Sequence, residues 1–178
     1  MHNVEQIQRA SHRMRRILVG VIIIMPLING MVWLFINDLP VYVYQEILPH
    51  FVTIPLPATT RRMGFLVTMV STSVVIVGAL HLMRLFDLYG KGSIFRDANV
   101  QCYKRLSRIL IWWFAARIVE RTLLGVALTL HNPPGQRILT VGVSSSDLGI
   151  LLIGFILSII AWVMEEGQRL QEDQDYTV

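Results

Sequence analysis

Arg117, Glu120 and Arg121 interrupt an apolar run, Ile109 to Leu130, that is otherwise suited to hydrocarbon. A charge held at membrane depth costs about 2.5 to 3.5 kcal/mol on insertion scales, so these side chains are expected to face protein rather than lipid. Arg117 precedes Glu120 by three residues and Arg121 by four. Those spacings place all three on one side of a helix and let Arg117 pair with Glu120. One positive charge is then left unbalanced. Such a cluster serves either as glue between helices, at about 0.6 kcal/mol for a typical contact, or as a site for an anionic or amphiphilic ligand, a lipid head group or a proton.

Other polar residues fall at a similar depth. With a rise of about 1.5 Å per residue and alternating helix directions, counting from the ends of the apolar runs puts Asn29, Ser71, Thr72, Ser73 and Ser158 near the level of Arg117 to Arg121. An intramembrane polar cluster of these eight residues is the expectation. His81 is of a residue type suited to proton handling, although an interfacial hydrogen-bonding role accounts for it as well. Asp147, after Ser144-Ser145-Ser146, sits where a helix begins and suits its N-terminal dipole. Cys102 is the sole cysteine, so no intramolecular disulfide or thiolate-based metal site is expected. No cofactor or metal is expected. No His-Glu-x-x-His motif, Ser-Lys dyad or carboxylate cluster at catalytic spacing occurs within the runs, and no catalytic residues or enzymatic activity are expected.

The elements that must position these residues are four apolar runs, about 17–36, 64–83, 109–130 and 148–164, each near the roughly 20 residues a membrane-crossing helix needs. Hydrophobic residues make up 53% of the chain, and the mean hydropathy is +0.53. The sequence predicts an all-α membrane protein, a four-transmembrane-helix bundle forming one integral domain over 1–178. Arg9, Arg13, Arg15 and Arg16 precede the first run, and Arg84, Lys91, Arg96, Lys104, Arg105 and Arg108 fill the loop 84–108, whereas the other loops hold only Arg61, Arg62 and Arg137. Basic residues are retained on the cytoplasmic side, so both termini are expected there. This bias also accounts for most of the charge behind the pI of about 9.6, leaving little reason to expect direct nucleic-acid binding. The first run is longer than a signal-peptide core and lacks a following A-x-A-like site, so it is expected to remain as an anchor.

Between the runs, 37–60 is rich in proline and contains the β-prone stretches Val41-Tyr42-Val43-Tyr44 and Phe51-Val52-Thr53-Ile54. Ile138 to Val143 has similar strand propensity. The expectation is a small β-like extracytoplasmic cap or an irregular interfacial loop anchored by Tyr42, Tyr44 and Phe51. In the loop 84–108, Gly90 and Gly92 suggest a helix end, and Asp97 suits the start of a helix running into the third span. Lys104, Arg105 and Arg108 would lie near lipid head groups. The tail 165–178 is acidic, with Glu165, Glu166, Glu172, Asp173 and Asp175 against Arg169, and can pair with the basic loop.

The pattern Leu85-Phe86-x-x-Tyr89-Gly90-Lys91-Gly92-x-Ile94-Phe95-x-x-x-Asn99-Val100, followed later by Glu166-Gly167-x-x-Leu170-x-Glu172-Asp173, resembles the domain-of-unknown-function 2975 family. Arg96 departs from it, standing where a small hydroxyl residue is common. The resemblance implies a small bacterial four-span inner-membrane protein, often encoded beside a short helix-turn-helix regulator, with no assigned catalytic residues. It implies a cytoplasmic docking surface of Tyr89, Gly90, Lys91, Gly92, Phe95, Asn99, Glu166, Leu170, Glu172 and Asp173. The expected function is a membrane-embedded regulatory or sensory protein whose partners are the lipid bilayer and a cytoplasmic transcription regulator. The alternative is a small transporter or channel component using the Arg/Glu cluster, which would need a homo-oligomer or an aqueous path.

Overall fold

The computed structural model describes residues 2–48, 52, 54–91, 97–130, 133, 137, 139 and 141–175. Among these described residues five helices follow one another: α1 (His2–Phe35), α2 (Val41–Ile47), α3 (Ala58–Gly90), α4 (Asp97–Thr129) and α5 (Ser145–Asp175). The four long ones alternate in direction, and each packs closely along the next in chain order, α1 on α3, α3 on α4 and α4 on α5. One end of the bundle, the terminal end, carries the starts of α1 and α4 and the ends of α3 and α5. The other carries α2 and is called the α2 end.

Three helical segments are long and apolar enough to cross a membrane, Gln8–Phe35, Ala58–Gly90 and Ser145–Arg169. Their outward faces expose large apolar side chains such as Ile23, Leu27, Leu66, Leu152 and Trp162. Such faces would be untenable in water and point to a membrane protein. Length alone would admit α4, which has 33 residues. Its internal Arg117, Glu120 and Arg121 set it apart, and it lies packed between α3 and α5. By composition the third apolar run, 109–130, is therefore not equivalent to the other three.

The stretch expected to be extended is helical. Among the described residues there is no strand, and Val41–Ile47 forms α2 with Pro40 at its N-cap. The reason is positional: a proline at the start of a helix sacrifices no internal hydrogen bond, and the next one, Pro49, lies beyond the last turn. Val41 and Tyr42 stay exposed, and Tyr44 packs partly against the core of the α2 end. Leu48, Val52 and Leu56 are buried with Trp33, Ile36, Leu124 and Leu128 in a core that closes the α2 end. Asn37 fastens this segment, donating from Nδ2 to Leu56 O at 3.1 Å and accepting from Leu56 N at 2.8 Å. The Ile54–Pro55 peptide is cis. Residues 139 and 141–143 are not strand either, while Phe51, Thr53, Ile138 and Thr140 lie outside the described residues.

Small residues allow the long helices to approach. Gly64 of α3 lies against the Trp33 ring of α1, with no room for a β-carbon. Trp33 Nε1 donates to Thr68 Oγ1 at 2.9 Å. On the other side of the molecule, a β-carbon on Gly154 of α5 would stand 3.3 Å from Leu110 Cβ of α4. Ser107 Oγ donates to Gly154 O at 2.9 Å there. At the terminal end, α3 and α4 are joined by a core of Leu85, Cys102 and Leu106.

Candidate functional site

The charges within α4 meet a partner on α5. Arg121 Nη1 lies 2.7 Å from Asp147 Oδ2, and Arg117 Nε lies 3.5 Å from Asp147 Oδ1. Arg117 Nη1 is also 3.3 Å from Glu120 Oε1, three residues along its own helix. The side chains of Asp147 and Glu120 are 1% and 7% exposed, so the two carboxylates are withdrawn from solvent and lipid, while Arg117 and Arg121 are only partly covered. Two arginines face two carboxylates. The excess positive charge expected from Arg117, Glu120 and Arg121 alone is thereby cancelled.

Asp147 holds both roles at once. Its Oδ2 accepts from Ser144 N and Ser144 Oγ, each at 2.8 Å, which satisfies the turn that starts α5. Arg121 reaches the same turn, donating from Nη1 to Gly142 O at 3.1 Å and from Nη2 to Ser144 Oγ at 3.0 Å. The meeting is possible because α5 begins alongside the interior of α4 rather than at its end. Arg121 stands eight residues before Thr129, the last of α4, or about 12 Å at the usual rise. Counting both helices from a common level missed this offset and left Asp147 at the membrane face.

The remaining predicted cluster residues separate into distinct places. Asn29 of α1 accepts at Oδ1 from Thr68 Oγ1 at 2.9 Å and donates from Nδ2 to Thr72 Oγ1 at 3.2 Å, joining α1 to α3. Ser71 and Thr72 line a cavity with Arg117 and Asp147. Ser73 is exposed and donates to Met69 O of its own helix at 2.7 Å. Ser158 lies 2.6 Å from Ser107 Oγ, ten residues along α4 from Arg117, and so belongs to another level of the bundle. His81 bonds from its ring to Val77 O at 2.9 Å within α3.

The cavity has a volume of about 200 Å³ and is bounded by Met25, Ser71, Thr72, Val75, Trp113, Arg117, Ser146, Asp147 and Ile150, which come from all four long helices. Two of its buried polar atoms lack a hydrogen bond among the described residues, Trp113 Nε1 and Asp147 Oδ1. The first can only donate and the second accepts while ionised. Asp147 Oδ1 faces Arg117 Nε at 3.5 Å, and Trp113 Nε1 is left as a buried donor without an acceptor beside the cavity, which costs free energy. Its formal charges cancel, which disfavours a strongly charged guest. No group of three or more His, Cys, Asp or Glu side chains among the described residues is placed to hold a metal ion.

A family model described as "Protein of unknown function (DUF2975)" matches residues 42–178. The chain belongs to the DUF2975 family. No curated protein and no solved structure matches it. The matched stretch takes in α2 to α5, and so includes the whole charge cluster and every cavity residue except Met25.

The residues through which the DUF2975 resemblance suggested a docking surface divide by burial. Asn99 is fully buried, and Tyr89 is half-buried with its hydroxyl 2.7 Å from that of Tyr103. Gly90 is half-buried too, with its β position 3.9 Å from Ser11 Cβ of α1. Tyr89 and Gly90 therefore lie at contacts between helices, and Asn99 is withdrawn from any surface. Lys91 and Glu166 are exposed. Lys91 pairs with Asp87 at 2.7 Å, and Glu166 lies 4.0 Å from Arg169. Gly92 and Phe95 lie outside the described residues, as do the side chains of Leu170, Glu172 and Asp173. The basic start of α4 does meet the acidic end of α5, through Lys104 Nζ and Glu165 Oε2 at 2.8 Å.

Proposed function

We propose that this chain is a multi-pass regulatory protein of the bacterial inner membrane, which senses a ligand or bilayer state in its core and binds a cytoplasmic helix-turn-helix transcription regulator. In this reading α4 is a fourth span, both termini are cytoplasmic, and the α2 end faces the periplasm, as the distribution of Lys and Arg favours. The observation that carries it is the cavity lined by all four long helices, which holds Arg117 and Asp147 of the same α4 and α5 whose other ends are joined by Lys104 and Glu165. A guest that bonds Asp147 competes with Arg117 and Arg121 for it. The relation of α4 to α5 is then altered at the terminal end as well, where Lys91, Arg105, Arg108 and Glu166 are exposed.

The test is membrane co-fractionation of a regulator encoded beside the gene. The wild type is expected to retain the regulator, and Glu166→Lys combined with Lys91→Glu to release it while insertion and stability are unchanged. Absence of any retained regulator, or retention by the variant, contradicts the reading. A small transporter remains the second reading, favoured by the same four intramembrane charges. Solute or proton flux in proteoliposomes that is lost in Asp147→Asn would select it.

A further inference from the structure

A second recess lies at the α2 end, away from the charge cluster. It is a groove of about 370 Å³ between α1 and α3, lined by Gly30, Trp33, Leu34, Arg61, Arg62 and Phe65. Its walls are aromatic and aliphatic. Gly30 keeps it open, since a β-carbon there would meet only Phe65, at 3.8 Å. Leu34 and the nearby Met31 and Leu66 are exposed, so the apolar lining continues onto the outward face of the helices.

The charge in this groove is one-sided. Arg61 and Arg62 stand in the first turns of α3, which has no acidic residue in its first turn and no side-chain cap at Pro57. Free N–H groups at a helix start add partial positive charge. Arg61 is held in place, donating from Nη1 to Leu34 O at 2.8 Å, while its buried Nε has no hydrogen-bond acceptor. No carboxylate lies within ion-pair distance of either guanidinium among the described residues. Arg15 of α1 differs, facing Asp87 at 3.7 Å. A basic groove with apolar walls and no counter-charge fits a ligand with an anionic head and a hydrocarbon tail.

We propose that the groove formed by Gly30, Trp33, Leu34, Arg61, Arg62 and Phe65 binds one anionic phospholipid, its phosphate on the two arginines and an acyl chain along the apolar wall. A zwitterionic lipid is disfavoured because the groove offers no carboxylate to its amine. Free phosphate is disfavoured because most of the lining is apolar. The proposal is independent of the regulatory reading above and survives if that reading fails.

The experiment is native mass spectrometry of the full-length protein in detergent, titrated separately with phosphatidylglycerol, phosphatidylcholine and glycerol 3-phosphate. One phosphatidylglycerol is expected to be retained through detergent removal, in preference to the other two. Arg62→Gln is expected to weaken retention by roughly tenfold, the scale of one charge-assisted hydrogen bond. Gly30→Leu leaves both arginines in place but fills the groove, and is expected to abolish retention with the melting temperature kept. Equal retention of phosphatidylcholine, displacement by glycerol 3-phosphate, or indifference to both substitutions would overturn the proposal. The first outcome indicates generic lipid contact, and the second a simple phosphate site.

Discussion

Ion pairs hold both ends of this bundle, but they differ in burial. At the terminal end, Lys104–Glu165 and Lys91–Asp87 pair side chains that are one-third to two-thirds exposed. In the α4–α5 interior, Arg117 and Arg121, 32% and 27% exposed, pair with Glu120 and Asp147, whose carboxylates are almost wholly covered. The chemistry is the same and the consequence is not. An exposed pair exchanges water contacts for protein contacts at little net gain. A buried cluster leaves a charge stranded in low dielectric if one member is removed. The terminal end can therefore vary its charges cheaply and present them to a partner, while the interior cluster must stay complete or recruit a substitute.

The sharpest way to break this comparison is Asp147→Ala, which deprives Arg117 and Arg121 together and removes the acceptor for Ser144. Loss of about 3 to 5 kcal/mol is expected, read as a large fall in the melting temperature in detergent. A second substitution asks whether packing rivals charge. Gly64→Ala forces a β-carbon into the Trp33 ring, and overpacking of this kind costs about 1 to 3 kcal/mol. Its effect should be smaller than that of Asp147→Ala and insensitive to salt.

Ser107→Ala removes the bonds to Gly154 O and Ser158 Oγ, and about 0.6 kcal/mol is expected for an interhelical contact of that type. The smallest effect belongs to Lys104→Gln. It should leave the melting temperature nearly unchanged, with any residual difference erased by added salt. A destabilisation by Lys104→Gln as large as that by Asp147→Ala would dissolve the distinction between the two ends.

What the sequence made legible was chiefly local. The four long helices follow from the apolar runs, and the contact of Arg117 with Glu120 follows from a spacing of three on one helix. The family was readable in the residues around Tyr89 to Val100 and after Glu166. What depended on three-dimensional offset was not legible. Asp147 looked like a simple cap because its meeting with Arg121 requires α5 to start two turns below the end of α4. The unbalanced arginine was nevertheless a signal that a carboxylate had to come from elsewhere. Ser158 was assigned to the wrong level for the same reason, and α2 was missed because Pro40 serves as its N-cap at no cost in internal hydrogen bonds, which the β-propensity of Val41 to Tyr44 concealed.

The most direct measurement is a double-mutant cycle on Arg121 and Asp147, with unfolding of Arg121→Leu, Asp147→Leu and the double variant followed in detergent. Arg121→Leu leaves the buried Asp147 carboxylate without its 2.7 Å partner, and Asp147→Leu leaves the partly covered Arg121 without its own. Each is therefore expected to be strongly destabilising. The double variant should be more stable than the sum of the singles implies, with a coupling of about 1 to 3 kcal/mol. Additive effects, or a neutral Asp147→Leu, would show that the carboxylate is not the counter-charge of α4 and would remove the cluster on which the cavity's role depends.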